Sequence, residues 1–356
     1  MIGKPMSEPG EVETTPVSEA HRIDEAALAI YLKDHINDFG PNLIVRQFPI
    51  GQSNPTYLLI GGSKRYVLRK KPPGKLLPSA HAVDREFKII SALKNSGIPT
   101  PQALHLCQNT DIIGTEFFIM DMIEGRVFHD PGLPGVSKEG RRQYFDDYIR
   151  ILANLHSIDI DAVGLSEFGR PNGYLERQVE RWSKQYEASK TENIPAMDRI
   201  IDWLPKNLPT DNSVSIVHGD YRPGNTITHS RYPYIVAVLD WELSTLGHPL
   251  ADLGYCCAAY YGKISSVGDF SLLNHQELGI PTETEFIEKY CEYAGRDRIE
   301  NVTYYVIFSL FRSAAIVQGV YKRGIDGNAS SEQALMFRNM AKARAVSAWK
   351  LVEENY

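Results

Sequence analysis

The sequence predicts an α+β fold in two parts, a small β-rich N-terminal part and a larger, mostly helical C-terminal part. Two observations predict it. Short runs rich in β-branched and aromatic residues, punctuated by glycine turns, crowd the first 125 positions. Apolar residues at helical spacing dominate the remainder of the chain, interrupted by short strands around a polar loop at residues 218–225.

Residues 1–22 are polar, carry Pro5, Pro9 and Pro16, and read as a mobile leader without the apolar core of a secretory signal. Residues 43–48 read as an edge strand. Gly51, Gln52, Ser53, Asn54 and Pro55 form a turn cluster, and residues 56–60 and 66–69 read as strands around Gly61-Gly62. This outline suits a nucleotide-covering hairpin and equally an ordinary one. Strand alternation places Arg69 and Lys71 on one face and Lys70 on the other. After a loop over 71–80, a helix carries Val83, Phe87, Ile90 and Leu93 on one stripe, with Glu86 on the same helix. Residues 115–123 read as an apolar strand ending in Glu124-Gly125.

Beyond Gly125, residues 138–157 carry Phe145, Tyr148, Ile149, Leu152 and Leu155 at helical spacing. Residues 172–189, 196–207, 250–261, 283–294, 299–320 and 331–354 also read as helices. The boundaries drawn are a leader over 1–22, an N-lobe over 23–123 and a C-lobe over 124–356.

The chain has 356 residues, 43% hydrophobic and 23% charged, an ordinary globular composition with length for two lobes. A net charge of −6 and the lack of a like-charged run argue against a general nucleic-acid binder. No apolar stretch approaches a membrane span, so no membrane partner is expected. Cys107, Cys256, Cys257 and Cys291 lack metal-site spacing and read as buried reduced thiols of a cytoplasmic protein. There is no Walker-type phosphate loop, zinc-protease helix or Gly-x-Ser-x-Gly elbow.

The chemistry sits in His218-Gly219-Asp220-Tyr221-Arg222-Pro223-Gly224-Asn225, one tight loop with a carboxylate and a carboxamide. Leu239-Asp240-Trp241-Glu242 adds acids at the end of the next apolar run. Phosphoryl transfer from ATP needs such a set: a carboxylate facing the acceptor hydroxyl, and an Asn and an Asp on magnesium. Asp220 is then the catalytic base or acceptor-orienting carboxylate. Asn225 ligates magnesium through its amide oxygen, and Asp240 bridges metal and phosphate oxygens. Glu242 shares the face of Asp240 if the strand persists, and holds a metal-bound water or is a surface acid. His218 reads as a brace of the loop, Asp252 as its anchor from the following helix. Arg222 is a contact for an anionic acceptor or a solvated arginine. A solvated turn is the plain alternative for the whole loop.

This ordered set, continued by Gly247-His248-Pro249-Leu250-Ala251-Asp252-Leu253, resembles the aminoglycoside phosphotransferase family, the small-molecule branch of the kinase-like fold. The resemblance covers residues 23–352 and implies a protein-kinase-like two-lobed fold with an ATP cleft between the lobes. It implies that Gly51, Ser53 and Asn54 belong to a phosphate-covering loop. It implies that Arg69 takes the place of the strand lysine, with Glu86 as its partner, and that Met120 and Met122 lie where a linker contacts adenine. ATP and Mg2+ are the implied cofactors.

Three segments, 47–58, 66–86 and 236–253, are similar to the kinase-like domains fused to acyl-CoA dehydrogenases and to their stand-alone bacterial relatives. The implied acceptor is a hydroxyl on an acyl chain, a hydroxyacyl-CoA or a hydroxy acid. An aminoglycoside kinase is the competing reading, but Arg296, Arg298, Arg312, Lys322 and Arg323 mixed with Glu283, Glu285 and Glu288 do not resemble a polycation pocket. A choline-type kinase would need an aromatic cage, for which Tyr304, Tyr305 and Tyr321 are candidates. A catalytically silent nucleotide-binding regulator is the reading from another class, disfavoured because Asp220, Asn225 and Asp240 are all present. The acceptor, the choice between ATP and GTP, and the oligomeric state stay open.

Overall fold

The first α-helix is one that the sequence pattern does not announce. In the computed structural model, which describes residues 13–49, 54–72, 82–262, 269–327 and 332–356, α1 spans Glu25–His35. Asp24 caps it by accepting the N–H of Ala27 at 2.9 Å. Its signal is weak in sequence because apolar residues lie all round it, and Ile30 is left exposed.

Next come β1 (Ile44–Gln47), β2 (Thr56–Gly61), β3 (Lys64–Lys70), α2 (Val83–Leu93), β4 (Ala103–Cys107) and β5 (Phe117–Asp121). Then come α3 (Lys138–His156), α4 (Tyr174–Ser189), α5 (Pro195–Trp203), β6 (Ser215–Val217), β7 (Thr226–Thr228), β8 (Ile235–Val238) and β9 (Thr245–Gly247). The chain ends with α6 (Pro249–Cys257), α7 (His275–Leu278), α8 (Glu283–Ala294), α9 (Val302–Ile325) and α10 (Arg338–Asn355). The strand β4 and the short helix α7 are likewise absent from the sequence pattern. The last helical segment opens as a 3-10 turn, Glu332–Phe337, before α10 begins.

The chain divides into two units: the described part of Met1–Arg126 with Ile227–Glu242, and Val127–Thr226 with Leu243–Tyr356. The sequence boundary at 123/124 leaves residues 227–242 in the second part. They group instead with the first unit through backbone pairing. Arg126 and Thr228 exchange hydrogen bonds at 2.7 and 2.8 Å, and Val238 N–H donates to Pro99 O at 2.8 Å. Gly125 permits this approach, since a Cβ there would sit 2.4 Å from the Thr228 carbonyl oxygen.

In the first unit the sheet runs β1-β2-β3-β5-β4, antiparallel throughout. Strand alternation turns Tyr57, Leu59, Tyr66, Leu68, Phe117 and Ile119 to one face, where they form a core with Leu28 and Leu32 of α1. Val67, Arg69, Phe118 and Met120 take the other face, and Phe87 of α2 meets Phe118 there edge-on at 6.1 Å. The buried stripe of α2 is Val83, Glu86, Ile89, Ile90 and Leu93. Phe87, expected on it, is half-buried, so the stripe is turned one position around the helix and Glu86 goes inside.

Thr15 and Gln47 exchange backbone hydrogen bonds at 2.8 Å each, and Tyr57 donates its hydroxyl to His21 O at 2.8 Å. The described part of the expected leader, from residue 13 onward, is thus fastened to the sheet.

In the second unit α9 is buried almost all round, from Tyr304 to Gly319, and packs on α4, α6 and α10. Every residue of α6 is buried. The strands β6 and β9 pair antiparallel, Ser215 with Gly247 and Val217 with Thr245. Thr282 and Glu285 close a capping box at the start of α8. All four cysteines are free and buried. Among the described residues no helix is long and apolar enough to cross a membrane.

Candidate active site

In the first unit the site is built around Arg69. Its place on β3, one position from the strand end, puts its side chain on the α2 face of the sheet. There Nη1 donates to Glu86 Oε1 at 2.5 Å and Nη2 to Asp240 Oδ1 at 3.0 Å. Lys70, one residue on, takes the opposite face, lies over the Tyr57 ring at 5.8 Å and is buried. Lys71 pairs with Glu116 at 2.8 Å.

Asp240 and Glu242 arrive by a turn rather than by strand alternation. The strand β8 stops at Val238, Asp240 adopts a left-handed φ of 65°, and Trp241–Leu243 forms a 3-10 turn. Trp241 holds this turn by donating Nε1–H to Val238 O at 3.0 Å. The expectation that Glu242 shares a strand face with Asp240 therefore fails, because the strand ends first. Glu242 reaches the same guanidinium through the turn, 4.0 Å from Arg69 Nη2, and accepts Asn54 Nδ2–H at 3.1 Å. Left-handed backbone at a non-glycine residue is uncommon and gathers at functional sites.

Electrostatically this cluster is unequal. Burial pushes the Glu86 carboxyl up to about 7, with the Arg69 guanidinium pulling the other way. For Arg69, burial lowers the pKa but is outweighed by Glu86, Asp240 and Glu242, so it stays raised. The two directions are not mirror images because Arg69 faces three carboxylates, while Glu86 faces one cation and two like charges. Asp240 is the accessible acid of the set, its side chain 33% exposed against 1% for Glu86. The buried Nε of Arg69 has no hydrogen-bond partner among the described residues.

In the second unit the loop after β6 carries His218 to Asn225. Gly219 has φ of 84°, which favours glycine, and a Cβ there would come 2.9 Å from the Leu243 carbonyl oxygen. The Asp252 carboxylate, buried on α6, accepts the N–H of His218 at 2.6 Å and that of Gly219 at 2.9 Å. His218 Nδ1 accepts the N–H of Asp220 at 3.2 Å, which makes it a brace within the loop. Burial would raise the Asp252 pKa. His156, by hydrogen bond and charge, and His218, by charge and its backbone N–H, hold it below its usual range.

Three donors cradle the Asp220 carboxylate. Oδ1 accepts from the Tyr255 hydroxyl; Oδ2 accepts Arg222 Nε–H at 3.1 Å and Asn225 Nδ2–H at 2.9 Å. The same Asn225 nitrogen donates to Asp220 O at 2.9 Å, which leaves the amide oxygen as the atom suited to a cation. Arg222 is therefore pinned to Asp220 rather than loose in solvent. The carboxylate stays reachable, with 23% of its side chain exposed.

Sequence reasoning missed Tyr255 and His156, and gave Arg312 no place near the loop. Tyr255 carried a signal: it lies three residues after Asp252 on one helix, hence on the same face. Arg312 of α9 donates Nη2–H to Gly219 O at 2.7 Å, and no local pattern announces it. Gly51 and Ser53 lie outside the described residues. Met120 is buried on β5, and Met122 is half-buried just past it. Tyr304 and Tyr305 are core residues, bonded to Leu204 O and His248, which argues against an aromatic cage made from them.

Each unit by itself carries donors suited to magnesium or to phosphate. Among the described residues no three His, Cys, Asp or Glu side chains cluster as a metal site. Magnesium, however, takes one or two protein oxygens and keeps waters and phosphate oxygens. The exposed carboxylate of Asp240 is such a hard donor in the first unit, and the amide oxygen of Asn225 is one in the second. Arg69, with its buried unpartnered Nε–H, is suited to phosphate oxygens.

Comparison with known proteins identifies the family. Residues 44–295 match the model of the phosphotransferase enzyme family, APH. The chain is 44% identical to mouse (Mus musculus) acyl-CoA dehydrogenase family member 10 over 344 residues, covering 96% of this chain and 32% of that protein. It thus spans about a third of that relative's length. A candidate aminoglycoside phosphotransferase from Ralstonia eutropha JMP134, solved by crystallography, is 40% identical with a TM-score of 0.85, covering 94% of this chain and 99% of that one. A spectinomycin phosphotransferase solved with ADP and spectinomycin shares the fold at a TM-score of 0.63 and 16% identity, covering 93% and 99%. The fold is kinase-like: a five-stranded antiparallel sheet in the first unit and a mostly helical second unit.

Proposed function

Because the chain belongs to the phosphotransferase enzyme family, we propose that it moves the γ-phosphate of ATP, with magnesium, to a hydroxyl of a small molecule, a hydroxyacyl-CoA or a free hydroxy acid. The observation that carries this reading is the cradle of Asp220, whose two carboxylate oxygens are held by Tyr255, Arg222 and Asn225. A carboxylate so positioned orients an acceptor hydroxyl and takes its proton as the O–P bond forms and the bond from the γ-phosphorus to the bridging oxygen breaks, releasing ADP.

The other roles come from charge. Arg69 neutralises phosphate oxygens, and Glu86 holds the guanidinium in place. Asp240 in the first unit and Asn225 in the second each offer an oxygen that would hold a metal. Magnesium, when bound, would supply charge stabilisation for the transferring group. Asp252 and His218 fix the loop, and fixing matters because a loose transition state is stabilised mainly by positioning and charge. The structural neighbour solved with ADP supports a nucleotide as donor. The similarity to acyl-CoA dehydrogenase family member 10 supports an acyl-chain acceptor.

The test is ATP consumption against hydroxyacyl-CoAs, free hydroxy acids, aminoglycosides, choline and sugars, with Asp220→Asn alongside. Turnover of a hydroxy acid or its CoA ester, lost in the variant, supports the reading. Turnover confined to an aminoglycoside or choline replaces the acceptor. MgATP binding with no turnover of any acceptor favours a regulator.

A further inference from the structure

We propose that Arg312 is the acceptor-side anion reader of this site: it selects acceptors that carry a negative group. The inference rests on the phosphotransferase reading and names the charge class of its substrate.

Four observations on the second unit lead there. Arg312 Nη2 donates to the carbonyl of Gly219, the residue next to Asp220, at 2.7 Å. Its guanidinium lies over the rings of Trp182 and Tyr255, 5.7 and 5.9 Å from their centroids, and Tyr255 is the residue that donates to Asp220. Its buried Nε has no hydrogen-bond partner among the described residues. No carboxylate is ion-paired with Arg312 among the described residues.

Arginine carries five donors in a rigid fork and keeps its charge in proteins. A charged donor held out of water without an acceptor is costly, and such groups are normally matched by an anion. The other partners of Arg312 are two π faces and one neutral carbonyl, which orient the fork without neutralising it. The cation is held one residue from the acceptor-orienting carboxylate, so an acceptor seated on Asp220 can bring its own anion to it. A polycationic acceptor would meet Arg312 and Arg222 as like charges. The shared chemistry is an anion, supplied either by the carboxylate of a free hydroxy acid or by a phosphate of a coenzyme A carrier.

The experiment compares 3-hydroxybutyrate, its neutral amide and its CoA ester as acceptors for wild type, Arg312→Gln and Arg312→Lys, reading kcat and KM separately. In the wild type the acid or the CoA ester should exceed the amide in kcat/KM. In Arg312→Gln that ratio should collapse by about tenfold or more, mainly through KM, with Arg312→Lys keeping part of it. Whichever charged probe loses its advantage identifies the source of the anion. A merely structural hold on Gly219 would lower all three acceptors alike and leave the ratio unchanged, which overturns the proposal. So does a wild-type preference for the amide.

If none of the three is phosphorylated, calorimetric titration of 3-hydroxybutyrate and its CoA ester decides. Binding to wild type that weakens in Arg312→Gln supports the proposal, and equal or absent binding overturns it. The phosphotransferase reading is judged separately, by MgATP binding and by turnover of any hydroxyl compound.

Discussion

The carboxylate of Asp252 accepts the backbone N–H of His218 at 2.6 Å, and with its other oxygen it takes that of Gly219. One buried side chain on α6 thereby fixes the peptide planes that lead into Asp220. Asp252→Ala should destabilise the protein by about 2–5 kcal/mol, since two buried donors lose a charged acceptor. The folded-state pKa of Asp252 is depressed, so its contribution is present above the unfolded value, near 3.8, and is lost as pH falls through the folded value. The gap between wild type and variant in urea unfolding should therefore be widest near neutral pH and narrow below pH 3.8. A gap that stays constant into acid would show that the carboxylate charge is not what stabilises the loop.

Asp220→Asn keeps the shape of the side chain and removes its charge. Turnover on the acceptor found should drop by roughly 10²-fold or more while ATP still binds. Steady-state kinetics with parallel nucleotide titration checks this, and near-normal turnover would remove Asp220 from its role.

Asp240→Asn should weaken magnesium-dependent nucleotide binding more than it perturbs the fold, because on the proposed reading an amide replaces an anionic ligand on an accessible turn. Calorimetric titration of MgATP against both proteins, with and without magnesium, is the measurement. Equal affinities and equal magnesium dependence would mean that another group holds the metal.

Arg69 and Glu86 form a buried pair, so their single variants each leave an uncompensated group. Arg69→Met and Glu86→Gln should each cost stability and kcat/KM, and the double variant should fall short of the summed losses by about 0.5–3 kcal/mol. Strict additivity would show that the pair does not act as a unit. Lys70→Met, on the opposite face of β3, should leave nucleotide affinity nearly unchanged.

The parts legible in sequence were those whose information is local. Alternation in β2, β3 and β5 separates the two sheet faces, and it puts Arg69 and Lys70 on opposite sides from the residue pattern alone. The α2 stripe was nearly right, but a helical period read over one short segment cannot choose between Phe87 and Glu86. The apolar residues of α1 are spread around the helix and mark no narrow stripe. Whether a strand persists past Asp240 is not legible in sequence, because a strand pattern does not announce the residue at which the backbone turns left-handed.

By itself the sequence determined the α+β class, the family, and the run from His218 to Asn225 with Asp240 and Asp252 beyond it. These rest on residues close along the chain, whose spacing carries the chemistry. Only the tertiary structure decided that Tyr255 and Arg222 hold Asp220, that Arg312 caps the Gly219 carbonyl, and that Arg69 meets Glu86 and Asp240 together. The reason is physical. Arg312 lies 93 positions from Gly219, and Arg69 lies 171 from Asp240. Which of many arginines on a helix or strand finds a partner at that range is set by how the elements pack, not by the residues on either side of it.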